Sequence, residues 1–278
     1  MHSGTFAIGG DVAVNRIGYG ALRLTGEGGW GGPADRDGAV RVLRRAVDLG
    51  VDLIDTADAY GPGSNEELIA EALHPYPDGV VIATKAGQCR PGPGKWVPLG
   101  RPEYLKQQAE LSLRRLRLDR IDLFQLHRID PLVPAAEQID ALKELRDEGK
   151  IRHIGLSEVT IAELEAARTR AGIATVQNRY NVVDRRHDAL LEHCERAGIG
   201  FLPWHPVDQG GLARAAGGAV REVADELGAT PSQVGLAWLL HRSPSTVLIP
   251  GTADPAHLEQ NCAAGALTLS SDQLARLA

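Results

Sequence analysis

Apolar and polar positions alternate with a period of two at the start of the chain and then settle into a longer rhythm. Between residues 5 and 15, Phe6 and Ile8 and then Val12 and Val14 alternate with polar or small neighbours around Gly9-Gly10-Asp11. Alternation on both sides of a turn that tolerates positive φ predicts a β-hairpin. It precedes any helix, so it is expected to plug or cover one end of the fold. Residues 16–20 predict a short strand, and the glycine-rich residues 26–33 predict a mobile loop.

From residue 35 the pattern becomes regular. Val40, Leu43, Ala46 and Val47 recur at helical spacing within residues 35–49, and Gly50 stops that helix. A strand over 51–54 precedes a helix over 65–73. A strand over 80–84 leads through a long loop to a helix over 102–116, with Pro102 at the start where helices accept proline. A strand over 121–126 precedes a helix over 134–148, which also opens on a proline. Further pairs follow as strand 151–155 with helix 161–170, and strand 175–177 with helix 188–197, closed by Gly198. Strand 200–203 leads through a glycine-rich loop to helices near 218–227 and 232–241, and strand 247–249 leads to helix 255–264.

Eight strands, each followed by at least one helix, imply parallel βαβ units. Eight such units close as a (β/α)8 TIM barrel, here with an N-terminal β-hairpin plug. The rival is an open doubly wound sheet, which carries a glycine-rich phosphate loop between its first strand and first helix. Gly18-x-Gly20 is the only trace of one, and Arg23 and a loop follow it instead of a helix. No composition break or linker appears, so residues 1–278 read as one barrel domain, close to the roughly 250 residues usual for this fold.

Composition narrows the function classes. The chain is 43% hydrophobic and 24% charged with a net charge of −6, which gives no electrostatic footprint for nucleic acid or an anionic membrane. No apolar run approaches the roughly 20 residues that span a bilayer. The first residues lack the basic and apolar regions of a signal peptide. Cys89, Cys194 and Cys262 are odd in number and form no Cys-x-x-Cys, against a disulfide framework or zinc site. A cytoplasmic globular protein is expected.

Candidate chemistry gathers at strand ends, where barrels keep their catalytic groups. Asp55 ends the second strand, Lys85 the third and His127 the fourth, and Tyr60 follows Asp55 on a turn closed by Gly61-Pro62-Gly63. Neighbouring strands bring these four to one pocket. A phenol with an ordinary pKa of about 10 is a poor acid at neutral pH. An ammonium ~4 Å away, at an effective dielectric near 20, favours phenolate by up to ~4 kcal/mol, or about three pKa units. Lys85 is therefore expected to bring Tyr60 towards the working range of a general acid. Asp55 would keep Lys85 charged, and His127 would hydrogen-bond a substrate oxygen or share the proton. Such a set protonates an oxygen as it becomes an alkoxide but holds no electron source, so carbonyl reduction needs a hydride from a cofactor. The same residue types also serve other chemistry. Lys85 could form a Schiff base in a barrel lyase. Asp55 and His127 could ligate a metal, although no His-x-His accompanies them and no metal site is assigned.

Asp55-Thr-Ala-Asp-Ala-Tyr60-Gly61, Thr84-Lys85, Gln125-Leu-His127 and Gly155-Leu-Ser157 resemble the signatures of the aldo-keto reductase family, in order and on matching strands, over residues 16–261. The resemblance implies a nicotinamide-dependent carbonyl reductase with Tyr60 as acid, Lys85 and Asp55 tuning it, and His127 orienting the carbonyl. It implies that Ser157 and Gln177 bind the carboxamide and that Trp204 stacks on the nicotinamide where the family usually has Tyr. Gly20 and Pro206 join the cofactor site on the same grounds. The segments holding Gly251, Thr252, His257, Gln260 and Asn261 resemble those that hold the adenosine phosphate and adenine.

Three positions besides Trp204 depart from the family. Glu158 replaces a usual Asn and cannot donate to the carboxamide oxygen. Gly251 and His257 stand where many members carry Lys and Arg towards the 2′-phosphate. The resemblance still implies NADP over NAD. The substrate is expected to be a small carbonyl compound, with Trp30, Trp96 and His127 at the pocket and a C-terminal tail after Leu269 too short to cover a large ligand. Ala21-Leu-Arg-Leu-Thr-Gly26 and Gln177-Asn-Arg-Tyr-Asn181 resemble bacterial members, some of which reduce pyridoxal. A monomer or small homo-oligomer is expected. The alternative within the family is a cofactor-binding regulatory subunit, but the chain shows no long N-terminal extension and no apolar stripe for a partner.

Overall fold

The computed structural model describes residues 3–207, 211–214 and 218–277; the glycine-rich stretch after residue 203 falls partly outside them. Thr5–Ile8 (β1) and Val12–Asn15 (β2) pair antiparallel, with Ile8 opposite Val12. Their inward residues Ile8, Val12 and Val14 pack with Leu53, Val81, Leu123, Leu202 and Val247 across the base of the barrel. The hairpin is the expected plug. It is tied down by Asp52, whose carboxylate accepts from the Asn15 backbone N–H at 2.8 Å.

The barrel begins at Tyr19–Gly20 (β3) and continues through Arg36–Asp48 (α1), Leu53–Asp55 (β4), Ser64–Leu73 (α2) and Val81–Ala86 (β5). Next come Gln88–Gly92 (β6), Lys95–Pro98 (β7), Pro102–Leu116 (α3), Ile121–Leu126 (β8), Ala135–Asp147 (α4), Ile151–Ser157 (β9) and Ile161–Arg168 (α5). Ile173–Gln177 (β10), Asp188–Ala197 (α6), Gly200–Phe201 (β11), Gly211–Arg214 (α7), Ala219–Leu227 (α8), Pro231–Arg242 (α9), Pro255–Ala263 (α10) and Ser271–Arg276 (α11) complete the order. The helix starts follow from local chemistry. Asp35 caps α1 by accepting from Gly38 N–H, and Thr160 with Glu163 and Thr230 with Gln233 form capping boxes on α5 and α9. None of the described helices is long and apolar enough to cross a membrane.

Seven strands form one parallel sheet in the order β11-β10-β9-β8-β5-β4-β3. Residues 246–249 knit its edges together. Ile17 bridges Leu248 and Phe201 bridges Thr246, both in parallel, and Gly18 N–H donates to Leu248 O at 2.8 Å. The sheet thus curls into the (β/α)8 barrel. The expected eighth strand is reduced to isolated bridges because Pro244 and Pro250 flank it, and proline has no N–H for a ladder. Gly20 and Gly251 meet at this seam. A Cβ on Gly251 would lie 2.4 Å from Gly20 O, so the closure admits no side chain there.

Two segments differ from their sequence expectation. Residues 88–99 are not a plain loop but the β6–β7 hairpin, with Gln88 opposite Pro98 and Cys89 opposite Val97. Pro91 and Pro93 mask it in sequence; Pro91 falls where the register shifts between Cys89 and Gly92, and Pro93 in the turn between the strands, so neither owes a ladder bond. The stretch after Leu269 is not a bare tail. A capping box between Ser270 and Gln273 starts α11, and Arg276 pairs with Glu226 of α8 at 2.6 Å.

Candidate active site

The barrel topology places Asp55, the last residue of β4, next to Lys85 near the end of β5, with His127 immediately after β8. Lys85 Nζ donates to Asp55 Oδ2 at 2.6 Å, to Thr56 O at 2.8 Å and to Tyr60 OH at 3.4 Å. All three ammonium donors are engaged and the side chain is fully buried. That leaves no free amine for a Schiff base. Asp55 Oδ1 accepts from Gln125 Nε2 at 3.1 Å and Gln177 Nε2 at 2.9 Å. Tyr60 and His127 lie edge to face with ring centres 5.8 Å apart, and Trp96 lies 6.2 Å from each. His127 Nδ1 is buried and has no hydrogen-bond partner among the described residues.

Burial decides the proton inventory. It raises Tyr60 above its ordinary value near 10; the nearby Lys85 ammonium lowers it and Asp55 raises it, and the sum is upward. The expected descent of the phenol therefore does not occur in this structure, because a fully enclosed phenolate loses more hydration than one ammonium returns. Lys85 is pushed down by burial but pulled up further by Asp55 and Tyr60, so it is a cation. His127 is driven well below its ordinary value by burial first, then by the Lys85, Arg128 and Arg90 charges, and is neutral. The site presents a protonated phenol, an adjacent ammonium and a neutral imidazole.

These groups open on a cavity of about 430 Å³. Gly20, Ser157, Gln177, Trp204, Pro206 and Gly251 line it alongside Asp55, Tyr60, Trp96 and His127. Thr252, His257, Gln260 and Asn261 do not line it; Thr252 follows the lining Gly251, the other three stand on α10, and Asn261 is buried. Gln177 is engaged with Asp55 in this structure. A nicotinamide ring fits this wall, which offers a hydroxyl at Ser157, an indole at Trp204 and the neutral imidazole of His127. The approach along α10 fits a 2′-phosphate less well. Asp254 caps the helix, its side chain accepting from Ala256 N–H at 2.8 Å, and so puts an anion where a phosphate would gain from the helix end.

Trp30 also stands outside the cavity wall, 37% exposed. Its loop is held rather than free. Arg90 donates to Gly28 O at 2.7 Å, Gly29 O at 2.8 Å and Ala59 O at 2.8 Å, while its guanidinium lies 3.5 Å from the Trp96 ring centre. One side chain thus joins the 26–33 loop, the Tyr60 loop and the β6–β7 hairpin.

Sequence reasoning passed over Arg90, Arg128 and Asp254. Arg128 directly follows the strand-end His127, which was a usable signal, and it lines the cavity. Arg90 lies in a segment taken for a loop. Asp254 is legible only as a helix cap, and its place at the approach to the cavity comes from the fold.

The sequence matches the aldo/keto reductase family over residues 16–278. It is 44% identical to the pyridoxine 4-dehydrogenase of Escherichia coli (strain K12) over 283 aligned positions, covering all of this chain and 98% of that protein. It is 45% identical to an uncharacterized oxidoreductase of Schizosaccharomyces pombe, covering 99% and 89% of the two chains. Among solved structures, the glycerol dehydrogenase of Gluconobacter oxydans superposes with a TM-score of 0.91 at 27% identity, covering 100% and 94%. An aldo/keto reductase of Klebsiella pneumoniae in complex with NADP and acetate superposes with a TM-score of 0.83 at 30% identity, covering 98% and 93%.

Proposed function

The chain belongs to the aldo/keto reductase family, and from that premise we propose that it reduces an aldehyde or ketone to the alcohol with a nicotinamide cofactor. NADP is favoured over NAD by the family, and pyridoxal or another aromatic aldehyde is the substrate. It works as a cytoplasmic monomer or small homo-oligomer on a small carbonyl compound. The observation that carries this reading is Lys85 Nζ set between Asp55 Oδ2 and Tyr60 OH at the floor of the cavity.

Bound nicotinamide supplies the hydride to the carbonyl carbon. The protein's residues manage the oxygen. Tyr60 keeps its proton because it is buried, and gives it to the oxygen as negative charge develops there. The phenolate left behind faces the Lys85 ammonium, which Asp55 holds charged; in a dry site that attraction is strong. The neutral ring of His127 hydrogen-bonds the carbonyl oxygen and sets its direction. Ser157 and Gln177 orient the carboxamide, and Trp204 backs the ring. The pyridoxal reading draws on the relative named for pyridoxine and on the aromatic wall of Trp96, Tyr60 and His127.

The test is consumption of NADPH or NADH by the purified protein with a carbonyl panel that includes pyridoxal and benzaldehydes. Turnover that Tyr60→Phe abolishes, with cofactor binding retained, supports the reading. Tight cofactor binding without turnover of any carbonyl moves the protein to the regulatory alternative, and absence of preference for pyridoxal removes that substrate.

A further inference from the structure

Arg128 lines the cavity directly beside the residues assigned to the carbonyl. Its Nη1 donates to His127 O at 2.6 Å and to Ser157 Oγ at 3.0 Å, which fixes the guanidinium against the wall between β8 and β9. Among the described residues no carboxylate lies within 4.0 Å of it. The lining carboxylate, Asp55, is spent on Lys85; the Glu158 carboxylate, which accepts from the Arg179 backbone N–H and the Trp204 indole through Oε1, acts on Arg128 through space and not by a direct ion pair. A half-buried cation without an ion-pair partner is costly to keep. Its donors point to an anionic oxygen supplied from the cavity.

The position limits where that oxygen sits on the substrate. Arg128 adjoins His127 in sequence, and its charge is felt by both the His127 ring and the Tyr60 phenol. An anion at the far end of a long substrate would lie out at the rim, near Leu22 or Val207. An anion at Arg128 lies close to the carbonyl itself. Trp96, Tyr60 and His127, packed edge to face on one another, meanwhile form an aromatic wall of the cavity against which an aromatic ring can pack.

Resting on the reductase reading above, we infer that Arg128 selects aromatic aldehydes that carry an ionised hydroxyl on the ring carbon next to the aldehyde. Arg128 binds the phenolate while Tyr60 and His127 bind the carbonyl oxygen. Pyridoxal has this arrangement and benzaldehyde lacks it. A charge-assisted hydrogen bond of this kind changes selectivity by about 10- to 100-fold.

The experiment measures kcat/KM for pyridoxal, for the methyl ether of its ring hydroxyl and for benzaldehyde, with the wild-type protein, Arg128→Met and Arg128→Lys. The expected result is a pyridoxal-to-benzaldehyde ratio that falls about 10- to 100-fold in Arg128→Met, is partly restored in Arg128→Lys, and is low for the methyl ether in every protein. Equal losses on all three aldehydes overturn the inference and make Arg128 a support for Ser157. An unchanged ratio overturns it as well. Where no aldehyde is reduced by the wild type, the reductase reading fails, and equilibrium binding of pyridoxine decides the role of Arg128 separately. Affinity about tenfold weaker in Arg128→Met supports the contact, and equal affinity sinks it.

Discussion

The carboxylate of Glu158 accepts the indole N–H of Trp204, and both residues are departures from the pattern of the family. Glu158 also accepts the backbone N–H of Arg179 at 2.7 Å, from a left-handed φ of 55° that a residue with a long side chain rarely adopts. The two departures compensate each other. A carboxylate cannot donate to a carboxamide, but it can fix an indole, and the indole is the ring proposed to back the nicotinamide. Glu158→Ala removes the acceptor from two donors at once. Cofactor affinity is expected to fall about tenfold with a changed tryptophan emission on binding, while the melting temperature moves little. A titration followed by fluorescence checks this, and unchanged affinity would show that Trp204 holds its plane without Glu158.

Burial of the acid and the imidazole sets the pH behaviour. Tyr60 is raised above its ordinary value, so its proton is in place below that raised value and is lost only as pH climbs through it. Carbonyl reduction is therefore expected to be flat from about pH 6 to pH 9. His127, neutral throughout because its value is depressed, adds no break near 6.5. Alcohol oxidation needs the phenolate, so its rate should climb about tenfold per pH unit over the same range. Rate profiles in both directions test the assignment. A reduction rate that falls steeply between pH 7 and pH 9 would sink it.

The strand order and the convergence of Asp55, Tyr60, Lys85 and His127 were legible because barrel geometry turns chain order into spatial neighbourhood. Asp55, Lys85 and His127 stand at the ends of β-rich runs, and Tyr60 follows Asp55 on the next turn. The Tyr60 proton was not legible. Its value depends on whether burial or the Lys85 charge wins, and sequence shows the charge but not the enclosure. The β6–β7 hairpin hid behind two prolines, and with it Arg90. Residues such as Thr252 and His257 were placed by resemblance, and no periodicity reveals that they stand outside the cavity wall.

Arg90 joins three segments around the acid through planar, divergent donors, and lysine cannot reproduce them. Arg90→Lys leaves the Ala59, Gly28 and Gly29 carbonyls without that fork and loosens Trp96, on which the guanidinium is stacked. A loss of about 2–4 kcal/mol in stability is expected, as for other broken buried networks. KM for aromatic aldehydes should rise more than KM for cofactor if Trp96, which lines the cavity beside Tyr60 and His127, borders the proposed substrate end. Denaturant unfolding with steady-state kinetics separates the two effects. A variant as stable as the wild type would mean the loops hold each other without Arg90.

Cofactor choice is expected to turn on Asp254. Its side chain caps α10, and its Oδ2 lies 3.8 Å from the exposed His257 ring. The nearby Arg45 is committed to Glu259 at 2.7 Å. A 2′-phosphate arriving here meets a carboxylate at the helix end that would otherwise attract it. Asp254→Ser keeps a hydroxyl cap and removes the charge, so KM for NADPH should fall about fivefold with KM for NADH unchanged. His257→Arg, at an open position, should add to the effect. Restoring the family lysine at 251 should not: a Cβ there would lie 2.4 Å from Gly20 O, so Gly251→Lys strains the barrel seam and lowers stability before it can help. Kinetics with both cofactors on the three variants decide the matter. An unchanged NADPH-to-NADH ratio in Asp254→Ser would place the adenosine end away from α10.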